Sequence, residues 1–337
     1  MVCFVRRFSS STALAAKRVP VFSSSKFAEL HLPPSFHVEC PERVGEAMAH
    51  LATSAHAEMK TVSAVDDKEK YNFALDIIKK VHDEEYVDEV AMACERGLRQ
   101  LSVWDSDTYI SRNSFDCFVL AQSAWLDAID ASISEGGPAF SLSRPPGHHA
   151  LRSRSCGFCV FNFAVGAAEY ALDMKQEINK VSILDWDVHF GNGVSDLVKN
   201  DGRIRYASTH QMDIFPGGLS QGENWKGPTE NLLNVGIGAG SGKEPYLDAL
   251  KSTILPFLLD DDGHKPDLLI ICAGYDALAS DPMANVSLKP EDFYDIAGII
   301  KETTKEKKIH VCLGLEGGYN LQELPIAIEE TLRAFSS

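Results

Sequence analysis

Features that would mark a membrane or secreted protein are missing from this sequence. The longest apolar runs, such as DLLIICAG at 267–274, are far shorter than the roughly 20 residues of a membrane span. The 8 cysteines are scattered along 337 residues without disulfide-framework spacing. The CxxC pair Cys156 and Cys159 has no second CxxC or downstream HxxxH to complete a zinc knuckle. We therefore expect no membrane span, a reducing compartment, and this pair in a loop near the functional site.

Basic residues are scarce relative to acidic ones. The chain has 32 Lys and Arg against 48 Asp and Glu, a net charge of −16 at pH 7. Such a surface repels nucleic acid and attracts cationic partners, for example basic proteins. We predict no direct binding of nucleic acid.

Acidic residues are absent before Glu29, in a segment that is rich in serine and contains Arg6, Arg7 and Lys17. This composition is typical of mitochondrial or plastid transit peptides. We predict that residues 1–18 are a disordered transit peptide, and the RRFSSS and ALAAKR stretches favour a mitochondrion over a plastid. The alternative is a basic tail without a targeting role, which would leave the protein in the cytoplasm or nucleus.

From Val19 onward, short β-type runs alternate with longer helical patterns. The predicted strands are 19–22, 139–145, 180–187, 204–210, 231–237, 267–274 and 311–317. The predicted helices are 42–54, 73–95, 114–134, 163–178, 245–260, 290–305 and 321–335. Near-continuous apolar strands separated by helices indicate a parallel sheet covered on both faces.

Polar clusters follow five of the predicted strands: RPPGHHA, DVHFGNG, STHQ, AGYDALASD and LEGGYN. In open parallel sheets, ligands bind beyond the carboxyl ends of the strands. The clusters therefore predict a functional site at one edge of the sheet.

The stretch ILDWDVHFGNG places Asp185, Asp187 and His189 at every second residue. If the strand continues through them, the three side chains share one face. Unpaired buried carboxylates are costly, so a metal is the expected compensation. Asp187, His189 and Asp276 would make an Asp₂His set with an open position, which is typical of catalytic zinc. The alternative is that the aspartates are helix caps or turn formers.

Two adjacent imidazoles, His148 and His149, follow a Pro-Gly turn. Beside an activated water they could act as general base and general acid. Each would need a partner for its other ring nitrogen, and Asp185 and Asn192 are available. Tyr319 follows a Gly-Gly turn that could aim its phenol at a developing oxyanion. The alternatives are a core histidine and a surface turn tyrosine.

Six motifs resemble, in order and spacing, those of the zinc-dependent histone deacetylase superfamily: RPPGHHA, GFCVFN, DWDVHFGNG, STHQ…FPG, AGYDALASDPMA and LEGGYN. The class II branch and the organellar deacetylases of plants and algae are the most similar. The resemblance implies the arginase–deacetylase fold, which is one α/β domain with an eight-stranded parallel sheet flanked by helices, over residues 19–335. It also implies hydrolysis of the acetamide of N-acetyl-lysine in histone or other proteins, giving lysine and acetate.

The resemblance assigns a role to each matching residue. The zinc ligands would be Asp187, His189 and Asp276. The catalytic group would be His148, His149, Tyr319, Asp185 and Asn192. A structural K⁺ would be held by backbone carbonyls of Asp185, Asp187, His189 and Thr209 and by side-chain oxygens of Asp185 and Ser208.

Substrate contacts are implied in the same way. Gly157 and Phe158 of GFC and Phe215 of IFPG would line an acyl-lysine tunnel, although such aromatics could also be ordinary core. Asp107 would hold the substrate backbone at the rim, with Asp105 close enough to confuse the alignment. Separately, Arg43 of PERV would line an internal channel near the zinc.

Two positions depart from the pattern of many members. Phe190 replaces a second histidine that is not a zinc ligand, so we expect altered packing and little loss of chemistry. Met283 stands where some polyamine deacetylases carry a gatekeeping glutamate, which favours acyl-lysine in proteins over acetylpolyamines. The alternatives are a deacetylase of small N-acetylated amines and a catalytically weak acetyl-lysine binder or scaffold.

Overall fold

A computed structural model describes residues 17–102, 105–217, 229–259 and 263–336. The strands in these ranges are β1 Val19–Ser23, β2 Ala57–Thr61, β3 Ala139–Ser141, β4 Val181–Asp185, β5 Ile204–Gln211, β6 Leu232–Ile237, β7 Leu268–Ala273 and β8 His310–Leu315. The α-helices are α1 Phe27–Leu30, α2 Glu42–Leu51, α3 Lys68–Val81, α4 Glu84–Glu95, α5 Ser114–Ser134, α6 Phe163–Met174, α7 Asn192–Val198, α8 Lys243–Ala249, α9 Leu255–Leu259, α10 Asp292–Lys307 and α11 Leu324–Ser336. Most of the predicted transit peptide, residues 1–18, lies outside the described ranges and stays a prediction.

The eight strands form one parallel sheet in the order β2-β1-β3-β8-β7-β4-β5-β6. This arrangement confirms the predicted fold class. Strands β3, β4 and β7 are buried at every position, as expected for a sheet covered on both faces. Gly314 in β8 shows how closely a helix packs, because a β-carbon there would collide with the Trp125 indole of α5. Within the described ranges, every helix is too short or too polar to span a bilayer.

The single helix predicted over 73–95 was wrong, because the structure contains two helices, α3 and α4. Between them His82 has an extended backbone, with φ −107° and ψ 156°. Its ring is held from elsewhere in the chain: Nδ1 lies 3.0 Å from the carbonyl oxygen of Leu151, and Nε2 accepts the N–H of Asn162 at 2.9 Å. Tertiary hydrogen bonds therefore break the helix that the apolar periodicity predicts.

Other differences lie at edges and strand ends. Strand β2 was not predicted, because it is an edge strand in which only Ala57 is buried. The short helix α7 was also missed. The strands predicted over 139–145 and 180–187 end earlier, at Ser141 and Asp185. The residues beyond them turn into the loops that form the candidate site.

Candidate active site

The segment after β4 is fixed by side chains instead of by strand pairing. Asp185 accepts the N–H of Asp187 at 3.1 Å, and Asp187 in turn accepts the N–H of His189 at 2.9 Å. The N–H of Val188 donates to Asp276 at 2.8 Å. The premise that three side chains share one strand face was therefore wrong, because the strand ends at Asp185 and side-chain acceptors take the N–H groups of residues 187 to 189.

Asp187, His189 and Asp276 nevertheless converge. Their ligand atoms lie within 4.8 Å of one another, and all three residues are buried. His189 Nδ1 lies 2.9 Å from Asp276 Oδ2 and 3.2 Å from Asp187 Oδ1. Burial and the neighbouring Asp187 raise the pKa of Asp276 to about 6. Burial lowers the pKa of His189, but Asp276 and Asp187 outweigh it and raise that pKa to about 10.

This donor set fits a divalent cation. Two buried carboxylates and one imidazole nitrogen are zinc-type ligands, and their like charges require a positive partner. The backbone makes room for them, because a β-carbon on Gly274 would collide with the Asp187 carboxylate and one on Gly317 would collide with that of Asp276.

The adjacent histidines have the two partners expected from the sequence. His148 Nδ1 lies 3.0 Å from Asp185 Oδ2, which also accepts the Tyr206 hydroxyl at 2.9 Å. His149 Nδ1 lies 2.7 Å from Asn192 Oδ1. The two ring centroids are 3.9 Å apart. Each ring is thereby held by its Nδ1 atom, which leaves Nε2 for chemistry.

The two imidazoles differ in charge preference. Burial lowers the pKa of His148, but Asp187 and Asp185 outweigh it and raise that pKa to about 10. Burial and the neighbouring His148 hold the pKa of His149 well below its usual value. One ring of the pair therefore favours the protonated form and the other the neutral form.

The GFC segment forms a tight two-residue turn closed by paired hydrogen bonds between Cys156 and Cys159, at 3.0 and 2.9 Å. Gly157 and Phe158 both have positive φ, 53° and 69°, as a type I′ turn requires. A β-carbon on Gly157 would lie 2.7 Å from both His149 and Phe215, so only glycine fits there. Cys156 and Cys159 therefore lie in a loop beside the two histidines, as predicted.

Aromatic rings line this region. The Phe215 ring centroid is 4.9 Å from that of His149, and the Phe158 centroid is 5.7 Å from that of Tyr319. The Arg43 guanidinium lies over the Tyr319 ring at 4.7 Å. Burial raises the pKa of Tyr319 well above its usual value, so the phenol keeps its proton.

At the rim, the structure separates the two candidate aspartates. Asp105 accepts the Ser155 hydroxyl at 3.0 Å, whereas Asp107 is exposed. The carbonyl of Asp107 lies 3.0 Å from His37 Nε2. The His37 ring packs edge-on against Phe158, with centroids 4.9 Å apart. Asp107 is therefore the more exposed of the two aspartates.

Sequence reasoning missed Asp281, which supports two residues it singled out. The buried carboxylate accepts the N–H of Tyr319 at 2.6 Å and that of Met283 at 2.9 Å. Met283 itself is half-buried. The signal available was the SDP sequence next to the GYD motif.

The residues predicted to hold K⁺ are only partly free for that role. Strand pairing places Ser208 beside Asp185, but the Ser208 hydroxyl lies 3.0 Å from His210 Nδ1. The buried hydroxyl of Thr209 has no hydrogen-bond partner among the described residues.

A buried ionic cluster behind the site was also missed. The Glu39 carboxylate receives two hydrogen bonds from Arg144, at 2.9 and 2.7 Å, and one from Arg43 at 3.3 Å. Arg43 also donates to the carbonyl of Gly318 at 2.7 Å. The cluster ties the loop before α2 to the segments that carry the histidines and Tyr319. The PERV and RPPGHHA motifs contain both arginines, but nothing local predicts that they share a carboxylate.

Comparison with known proteins agrees with the fold described above. The family described as histone deacetylase domain matches residues 37–335. Histone deacetylase 10, chloroplastic, of Oryza sativa subsp. japonica is 35% identical over 78% of this chain and 61% of the rice protein. Polyamine deacetylase HDAC10 of Danio rerio is 29% identical over 92% of this chain, which spans 46% of that protein. The solved structure of the HDA15 HD domain aligns with a TM-score of 0.78 and 25% identity, over 95% of this chain and 90% of that one.

Proposed function

The chain belongs to the histone deacetylase family, and on this premise we propose that it is a zinc-dependent deacetylase of acetyl-lysine in proteins. The convergence of Asp187, His189 and Asp276 beside the histidine pair carries the proposal. These three residues would hold Zn²⁺, which when bound polarises a carbonyl and acidifies water.

The chain's own residues supply the proton transfers. An amide oxygen only accepts, so His149 directs Nδ1–H to Asn192 and presents Nε2 as the general base. His148, whose protonated form Asp185 and Asp187 stabilise, donates from Nε2 to the departing lysine amine. The Tyr319 hydroxyl donates to the developing oxyanion. The products are acetate and free lysine.

Two features favour a peptide substrate over a small acetylated amine. The carbonyl of the exposed residue Asp107 contacts His37, and the 95% exposed Phe36 precedes His37 in the chain. A peptide that extends beyond the acyl-lysine would contact Asp107 and Phe36. Met283 is neutral where selection of a second ammonium group needs a carboxylate. Phe158 and Phe215 would flank the acyl chain, and Gly157 leaves room for the Phe215 ring beside the turn that carries Phe158.

Two further assignments belong to the proposal. A structural K⁺ would be held by the carbonyls after β4 and by Asp185, Ser208 and Thr209. The acid-free leader and the chloroplastic relative support an organelle, and fluorescent fusion of residues 1–30 tests mitochondrion against plastid.

The decisive experiment compares kcat/KM of the zinc-loaded protein on an acetyl-lysine peptide and on acetylspermidine, each with and without a chelator. We expect chelator-sensitive turnover that is faster on the peptide. A clear preference for acetylspermidine would favour a small-amine deacetylase. Stoichiometric zinc without turnover on either substrate would favour a binder or scaffold.

A further inference from the structure

Glu316, at the carboxyl end of β8, is a buried carboxylate that the proposed chemistry does not use. It is 1% exposed. Its Oε2 accepts the N–H of Gly147 at 2.7 Å and that of His148 at 3.1 Å. Among the described residues, Oε1 has no hydrogen-bond partner. Burying such a group is unfavourable unless its contacts matter to the fold or to the site.

Those contacts fix the backbone that carries the histidine pair. The carbonyl of His148 accepts the N–H of Val194 in α7 at 3.1 Å, while its N–H goes to Glu316. Gly147 packs closely against the start of α6, because a β-carbon there would lie 2.9 Å from the Phe161 carbonyl oxygen and from the Phe163 nitrogen. The Glu316 side chain therefore accepts from two consecutive N–H groups of this loop and anchors it to the end of β8.

The same segment also holds a proposed metal ligand. The N–H of Gly317 donates to Asp187 Oδ2 at 2.7 Å. The carbonyl of Glu316 accepts from Arg43 at 2.5 Å. Glu316 and Gly317 are consecutive residues, so one short segment is hydrogen-bonded both to the loop that carries His148 and to Asp187. The position of this segment therefore affects the distance between the histidine pair and Asp187.

We propose that Glu316 is a positioning residue: through the N–H groups of Gly147 and His148 it fixes the two imidazoles relative to Asp187. Shortening or removing the side chain leaves two buried N–H donors without an acceptor and lets the loop shift. A displacement of about 1 Å at reacting groups can lower the rate by about 10²-fold. The inference rests on the proposed hydrolysis.

Two substitutions separate reach from charge. Glu316→Gln keeps an oxygen at the same reach without the charge, whereas Glu316→Asp keeps the charge but is one methylene too short. We expect Glu316→Gln to retain kcat within about fivefold, and Glu316→Asp to lower kcat about 10²-fold with KM changed less than about threefold. Ser182→Ala is the matched control. Ser182 lies near the start of β4, away from the site, and its hydroxyl donates a buried hydrogen bond to the carbonyl of Leu258, so its loss should leave kcat unchanged.

A readout independent of turnover accompanies the kinetics. In ¹⁵N-histidine-labelled protein, the hydrogen-bonded Nδ1–H resonance of His148 should shift or broaden in Glu316→Asp and stay in place in Glu316→Gln. If Glu316→Gln lowers kcat while Glu316→Asp does not, the charge of Glu316 matters more than its reach, and the proposed positioning role is overturned. Equal activity of both variants and wild type would overturn any role. Failure of the proposed function is distinct, because the wild type itself would then lack turnover.

Discussion

Replacing Glu39 by Gln tests the buried ionic cluster behind the site. Glu39 is fully buried, and its carboxylate accepts from Arg144, Arg43 and the Tyr109 hydroxyl. Glutamine keeps the shape but removes the charge, so two buried guanidinium groups lose their shared anion. Removing one partner of a buried ion pair costs about 3–5 kcal/mol. We expect the free energy of unfolding to fall by about that amount at pH 7.

The effect should depend on pH with a definite sign. Burial raises the pKa of Glu39, but Arg144, His31 and Arg43 outweigh it and hold that pKa well below its usual value of 4.5. The folded state therefore binds fewer protons than the unfolded state in acid. The stabilisation by Glu39 is complete above pH 4.5 and is lost as the pH falls below it. The difference between wild type and Glu39→Gln should be constant from pH 6 to 8 and shrink below pH 4.5.

The assay is urea unfolding followed by circular dichroism at pH 7, 5.5 and 4. Glu135→Gln is the matched control, since its pair with Lys17 is exposed and should be worth less than about 0.5 kcal/mol. A loss below about 1 kcal/mol at pH 7, or a difference that persists unchanged into acid, would refute the reasoning.

Four further outcomes are expected. Glu316→Gln should gain stability relative to wild type as the pH rises from 5 to 8. Burial raises the pKa of Glu316 from 4.5 to about 7, so ionising the carboxyl in the folded state costs about 3 kcal/mol, a cost that glutamine does not have. A stability difference between the two proteins that stays constant across this pH range would contradict the prediction. Tyr319→Phe should lower kcat on an acetyl-lysine peptide about 10²–10³-fold and leave KM nearly unchanged. A kcat close to that of wild type would show that the phenol does not stabilise the oxyanion. Asp276→Asn should lose zinc, as measured by mass spectrometry of the purified protein. The control Asp196→Asn, which changes an aspartate paired with Lys199 away from the site, should keep zinc. Full zinc content in Asp276→Asn would show that the metal binds elsewhere. Phe36→Ser should raise KM for an acetyl-lysine peptide about threefold without changing kcat/KM on acetylspermidine. The control Met174→Ser, which also removes an exposed apolar side chain, should leave both quantities unchanged.

Much of the site was available from local pattern. The apolar runs of β4, β7 and β8 gave the sheet, and the polar residues that follow them gave the edge where His148, Asp187 and Asp276 meet. The donor types at those positions indicated a metal and an acid–base pair before any contact was known.

What failed were inferences that depended on long-range contacts. The helix broken at His82 has an unbroken apolar pattern, and long-range hydrogen bonds interrupt it: the His82 ring contacts Leu151 and Asn162, and the N–H of Asp83 donates to the carbonyl of Arg152. The strand assumed to continue past Asp185 ends there because its side chain accepts the N–H of Asp187 and Asp276 accepts that of Val188.

The sequence by itself determined a parallel sheet covered on both faces, every strand except β2, and the chemical identity of the donors, because these follow from residue type and local periodicity. Only the tertiary structure decided which donors meet. Glu39 and Arg144 are separated by 105 residues, and Glu316 and Gly147 by 169. Glu39 follows β1, Arg144 and Gly147 follow β3, and Glu316 follows β8. These contacts therefore depend on the order β1-β3-β8 in the sheet. That order is a property of how the crossover helices pack, and no single segment encodes it.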